Sequence, residues 1–160
     1  MNTATPIDIQ VVANADALYR AAAVEVLSSA KAAVLEKGLF TIVLSGGATP
    51  KGLYALLADD VSWRTQVPWE KMHCFWGDER HVPPDHPESN YRMSYEAMLA
   101  RVPIPAANIH RIKSEYTDAE QAAQEYERVL QTFFALPAGQ CPCFDLVFLG
   151  LGLDAHLQVA

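Results

Sequence analysis

The sequence predicts an α/β fold, a mainly parallel sheet with helices on both faces. Three observations carry this prediction. Short apolar or β-branched runs alternate with amphipathic stretches of crossover length, the pattern of strand–helix–strand units. The runs at 39–45 and 72–76 are almost continuously apolar, as strands covered on both faces require. Glycine and proline separate these segments at Gly38, Gly77, Pro103 and Pro137.

Each element has a local reason. IDIQVVA (7–13) is short and β-branched and is predicted as a strand. Asn14 or Asp16 then caps a helix with Tyr19, Ala23, Val26, Leu27, Ala30 and Val34 on one face, stopped by Gly38. LFTIVLS (39–45) is the first buried strand. The next helix opens at Thr49 as cap, with Pro50 in its first turn, where a missing N–H costs nothing. MHCFW (72–76) is a second buried strand, followed by a Pro-rich loop. Ser89 caps the helix NYRMSYEAMLARV, which Pro103 and Pro105 terminate. NIHRI (108–112) is predicted as a short strand. Thr117 or Asp118 starts a long helix that ends before Pro137, and FDLVFLGLG (144–152) is the last strand. Only six residues follow Asp154, too few for another crossover, so the expectation is a single domain over 1–160 that is incomplete at its C-terminus.

The balance of 12 basic against 19 acidic residues, a net charge of −7, argues against nucleic acid as a partner, because phosphate backbones attract basic surfaces. No apolar run reaches membrane-spanning length, so no membrane partner is expected. Three cysteines (Cys74, Cys141, Cys143) make no disulfide framework, and no second Cys/His pair accompanies Cys141 and Cys143, so no metal site is expected. MNTATPIDIQ lacks the pattern of a signal peptide, and the expected setting is cytoplasmic. Nothing in the sequence specifies an oligomeric state.

Three stretches carry candidate chemistry, each beside a plainer reading. In LSGGATPKG (44–52) a strand runs through glycines into a helix start. Unpaired amides there, with the hydroxyls of Ser45 and Thr49 and the charge of Lys51, suit an anion such as phosphate. The same stretch also reads as a tight strand–helix turn. In WGDER (76–80) three charged residues sit at the carboxyl end of a buried strand, where open α/β sheets bind ligands. Arg80 suits a phosphate or carboxylate, while Asp78 and Glu79 suit sugar hydroxyls or the orienting of another side chain; a solvated charged loop is the plain alternative. His81, His86 and His110 lack a supporting pattern and read as surface or loop residues. In GLGLDAHLQ (150–158), His156 with Asp154 two residues before it fits a general base with an orienting carboxylate, or a terminal histidine without a role.

Taken together and in this order, LSGGATPKGLY, WGDERHVPPDHPESNYRM and FDLVFLGLGLDAH resemble the 6-phosphogluconolactonases. The resemblance runs from Thr41 to Asp154. It implies a three-layer α/β/α domain shared with sugar-phosphate isomerases. It also implies hydrolysis of 6-phospho-D-glucono-1,5-lactone to 6-phosphogluconate in the oxidative pentose phosphate pathway, with no metal or organic cofactor and a small sugar-phosphate lactone as the partner. By the same resemblance Ser45, Gly46, Gly47 and Thr49 match the phosphate-side loop, Asp78 and Arg80 the substrate-site acid and cation, and His156 with Asp154 the motif of the general base. The chain departs from the family at its end: Ala155 stands where the motif has glycine, and Leu157, Gln158 and Val159 replace its Thr-Ala-Ser. Two other classes stay open, a glucosamine-6-phosphate deaminase-like isomerase and a non-catalytic sugar-phosphate-binding remnant.

Overall fold

The computed structural model describes residues 7–137 and 139–150. Helix α1 (Ala15–Lys37) starts where Asn14 accepts a hydrogen bond from the Ala17 amide at 2.9 Å, and stops at Gly38, whose φ of 81° suits glycine. Strand β1 (Phe40–Leu44) follows, every residue buried. Helix α2 (Ala48–Asp59) leads to a single turn, α3 (Val61–Arg64), capped by Asp60. Strand β2 (Met72–Trp76) lies beside β1, and the Pro-rich loop leads to α4 (Asn90–Ala97), which Ser89 caps as predicted. Helix α5 (Ala119–Phe134), capped by Asp118, precedes strand β3 (Leu146–Val147).

The sheet order is β2-β1-β3, all parallel, with Phe40 opposite Met72 and Ile42 opposite Leu146. Alternation along the strands separates two faces. Phe40, Ile42, Leu44, Met72 and Cys74 pack against Ala23, Val26 and Ala30 of α1 and Leu53, Tyr54 and Leu57 of α2, forming the main core. His73 and Phe75 point the other way, where Phe133 of α5 lies 4.8 and 5.1 Å from their rings. Helices therefore cover both faces, and the three-layer expectation holds. Among the described residues no helix is long and apolar enough to cross a membrane.

The expectations fail where local preference lacks a partner. Residues 7–12 form no strand; Ile7, Ile9 and Val11 are 80–92 % exposed. Their β-branched side chains favour an extended backbone, but a strand exists only when a neighbour takes its hydrogen bonds. The 108–112 segment is reduced to one parallel bridge, Ile109 to Cys74. Helix α4 ends at Ala97, because the chain breaks at Met98 (φ −141°) and continues as a 3-10 turn that buries Met98 and Leu99. The last strand shrinks to two paired residues, and 151–152 lie outside the described residues. Its position is nevertheless firmly tied. The Asp145 carboxylate accepts from the Thr41 amide and hydroxyl, both at 2.8 Å, and pairs with Lys37 at 2.8 Å.

Candidate active site

The site assembles at the carboxyl ends of β1 and β2. Ser45 leaves β1 with both of its backbone groups held by one buried phenol: its amide donates to the Tyr54 hydroxyl and its carbonyl accepts from it, each at 3.0 Å. The Ser45 amide is thus unavailable to a ligand, and the anion-binding part of the loop begins after it. Gly47, with φ 106° and ψ 170°, occupies a region essentially closed to other residues and turns the chain into α2. Gly47, not Thr49 as expected, is the N-cap; Thr49 lies inside the first turn, exposed, with Pro50 beside it as predicted. No side chain caps this N-terminus, so the leading amides of α2 are left for an outside acceptor.

Tyr126 of α5 treats the end of β2 the same way, accepting from the Trp76 amide at 3.0 Å and donating to the Trp76 carbonyl at 3.1 Å. The ladder then runs one bond further, from the Gly77 amide to the Leu44 carbonyl at 3.3 Å. Asp78 and Arg80 follow directly. The Arg80 Nε lies 3.9 Å from Asp78 Oδ2 with its side chain 53 % exposed, a loose pair that leaves the guanidinium free to meet an anion. Glu79 is not available to substrate. Its Oε1 accepts from the amides of Arg80 (2.8 Å) and Asn90 (2.7 Å), and its Oε2 from the Ser89 hydroxyl (3.1 Å) and the Tyr91 amide (2.8 Å). Of the two roles open to Glu79 in the sequence, orienting neighbours is the one it fills, as a negative charge at the N-terminus of α4.

Sequence reasoning missed Asn90. Its Nδ2 donates to the Asp78 carbonyl at 3.2 Å, and its amide lies against Gly46 so closely that a Cβ there would fall 1.9 Å from Oδ1. The signal was present as the dipeptide after the Ser89 cap, but nothing local indicates that its side chain reaches a loop more than 40 residues earlier.

A cleft of about 700 Å³ opens between α5 and the sheet beyond β2, walled by Val43, Ala122, Leu130, Phe144 and Val147, with Asp78, Glu79 and His81 among its polar lining. Among the described candidate residues only Asp78 lines it; the 45–49 loop lies on the other side of Asn90. His81 holds this region through a ring nitrogen 2.6 Å from the Tyr116 carbonyl. His110, expected at the surface, is instead half-buried. It stacks on Phe75 with ring centroids 4.5 Å apart, and its Nε2 lies 3.2 Å from His73 Nδ1. Burial, then the neighbouring His73, pushes His110 down to about 4, and burial lowers His73 as well. No cluster of three or more metal-ligating side chains occurs among the described residues. Asp154 and His156 lie outside the described residues.

Comparison with known proteins agrees with this architecture. The family model for glucosamine-6-phosphate isomerases/6-phosphogluconolactonase matches residues 13–158. A protein of Synechocystis sp. named 6-phosphogluconolactonase is 50% identical over 148 residues, which is 92% of this chain and 60% of that protein. The crystal structure of 6-phosphogluconolactonase from Thermotoga maritima superposes with a TM-score of 0.73 at 31% identity, covering 87% of this chain and 58% of that one. A monomeric glucosamine-6-phosphate deaminase superposes with a TM-score of 0.74 at 19% identity, covering 91% of this chain and 56% of that one, a likeness of fold alone. The chain therefore spans about 60% of the length of the relatives it matches, and by the family match over most of its own length it belongs to the glucosamine-6-phosphate isomerase/6-phosphogluconolactonase family.

Proposed function

We propose that this chain provides the sugar-phosphate site of a 6-phosphogluconolactonase, hydrolysing 6-phospho-D-glucono-1,5-lactone to 6-phosphogluconate. The observation that carries the proposal is the juxtaposition at the strand ends: an uncapped helix N-terminus beside an arginine left largely free, joined through Asn90. In this reading the amides and hydroxyl of the Ser45–Gly46–Gly47–Thr49 loop take the phosphate, and Arg80, steadied by Asp78, takes a second anionic or developing oxyanion group. His156, oriented by Asp154, removes a proton from water as its oxygen attacks the lactone carbonyl carbon. The tetrahedral oxyanion collapses, the bond from that carbon to the ring oxygen breaks, and the ring oxygen takes up the proton as the new hydroxyl. General-base action of this kind contributes on the order of 10²–10⁴-fold. Anchoring the phosphate contributes by fixing the lactone in place. The reaction is that of the oxidative pentose phosphate pathway, for which a cytoplasmic setting is the matching proposal.

The test is lactone disappearance against the spontaneous background, with His156→Ala alongside. Acceleration that the substitution abolishes is the expected result. A folded chain that leaves the background rate unchanged refutes the proposal, and ammonia release from glucosamine 6-phosphate would replace it with the deaminase reading.

A further inference from the structure

Glu79 and Asn90 form a connected unit between the two halves of the site. The Glu79 carboxylate, saturated by four donors, closes the 79–89 loop onto the first turn of α4 and fixes the backbone of Asn90. Ser89 takes part from both sides, donating to Glu79 and accepting from the Arg92 amide at 3.1 Å. With its backbone held, Asn90 extends a buried amide, 6 % exposed, between the two loops. One end donates to the carbonyl of Asp78; the other rests on Gly46. The three atoms that a Cβ on Gly46 would meet first all belong to Asn90. The backbone at Gly46 does not have the positive φ of its neighbour, so close approach to Asn90 is what requires glycine here.

We propose that Asn90, held by Glu79, is a positioning residue that sets the separation of the α2 N-terminus from the Asp78–Arg80 arm, so that one phosphorylated sugar engages both. The proposal rests on the sugar-phosphate reading of the site. Its chemistry is geometric. A phosphate alone meets only the α2 amides, whereas a phosphorylated lactone is held at two points whose spacing must match it, and displacement by about 1 Å is enough to cost on the order of 100-fold.

The experiment compares Asn90→Ala and Asn90→Asp, the second keeping the shape but losing the Nδ2 donor, in lactone hydrolysis and in binding of inorganic phosphate. In folded variants the expected result is KM raised about tenfold or more, with phosphate affinity within about threefold of the parent for Asn90→Ala. Gly46→Ala is expected to be worse than Asn90→Ala, and the double variant Gly46→Ala/Asn90→Ala to recover to the level of Asn90→Ala alone. A folded Asn90→Ala chain with KM and kcat both within about twofold of the parent overturns the proposal, as does a double variant no better than Gly46→Ala. If the parent chain itself leaves the lactone untouched, the functional reading fails and the linkage is judged from amide spectra. Asn90→Ala must then shift amides in both 46–49 and 77–80, and a change confined to one loop overturns it.

Discussion

Replacing Tyr54 by Phe removes one oxygen from a side chain that is fully buried and otherwise keeps its packing. That oxygen serves two backbone groups at once, the amide and the carbonyl of Ser45, each at 3.0 Å. Ser45 is 4 % exposed, so water does not readily replace the lost partner. Burial pushes the phenol well above its ordinary pKa, so the proton that donates to the carbonyl is present throughout the neutral range. Leaving a buried backbone group unsatisfied costs about 1–3 kcal/mol, and two such groups sharing one lost oxygen give about 2–4 kcal/mol. For a chain of this size that is a fall of roughly 5–15 °C in melting temperature. Urea unfolding followed by tryptophan fluorescence measures it, with an unchanged slope showing that the compactness of the two states is preserved. The less buried Tyr126→Phe, which makes the same two bonds to Trp76, is the internal comparison and is expected to lose less. A loss below about 0.5 kcal/mol in Tyr54→Phe refutes the reasoning, since it means the strand end does not depend on the hydroxyl.

Gly47→Ala forces a side chain into φ 106°, ψ 170° and is expected to cost about 1–3 kcal/mol together with phosphate affinity; wild-type melting and binding would show that the turn relaxes freely. His73 and His110 both stay neutral in the fold below the ordinary histidine value. The unfolded chain therefore binds protons first, and stability present above pH ~6.5 is expected to fall as the pH drops toward about 4. A urea midpoint that is flat from pH 7.5 to 5 in the parent, or no flatter in His110→Phe, contradicts this. Although burial opposes its charge, Asp145 is held below the usual carboxylate range by Lys37 and Thr41, so its contribution is present above pH ~3.9 and lost as the pH falls through the lowered value. Asp145→Asn is correspondingly expected to lose about 1–3 kcal/mol at neutral pH, read from thermal melts. Arg80→Ala is expected to weaken sugar-phosphate binding several-fold with little change in stability, because the side chain is exposed; unchanged affinity removes Arg80 from the site.

What could be read from residues alone was whatever depends on neighbours in the chain. Asn14, Ser89 and Asp118 cap the helices they were expected to cap, because a cap is a bond to an amide two or three residues away. The buried character of Phe40–Leu44 and Met72–Trp76 was legible as unbroken apolar runs, and the order of strands and helices as a change of period. The motifs around Gly46 and Asp78 marked the right sheet edge for the same reason. Residues 7–12 mislead because pairing, absent there, is not a local property. His110 misleads because its ring is enclosed by Phe75 and Phe133, on two separate elements. Asn90 and Tyr54 act across folded space, the first on a loop more than 40 residues away, the second on the end of the preceding strand. The sequence by itself determined the fold class and the family. The tertiary structure alone decided which donors meet which acceptors, because directional contacts between distant segments exist only once the sheet has set their spacing.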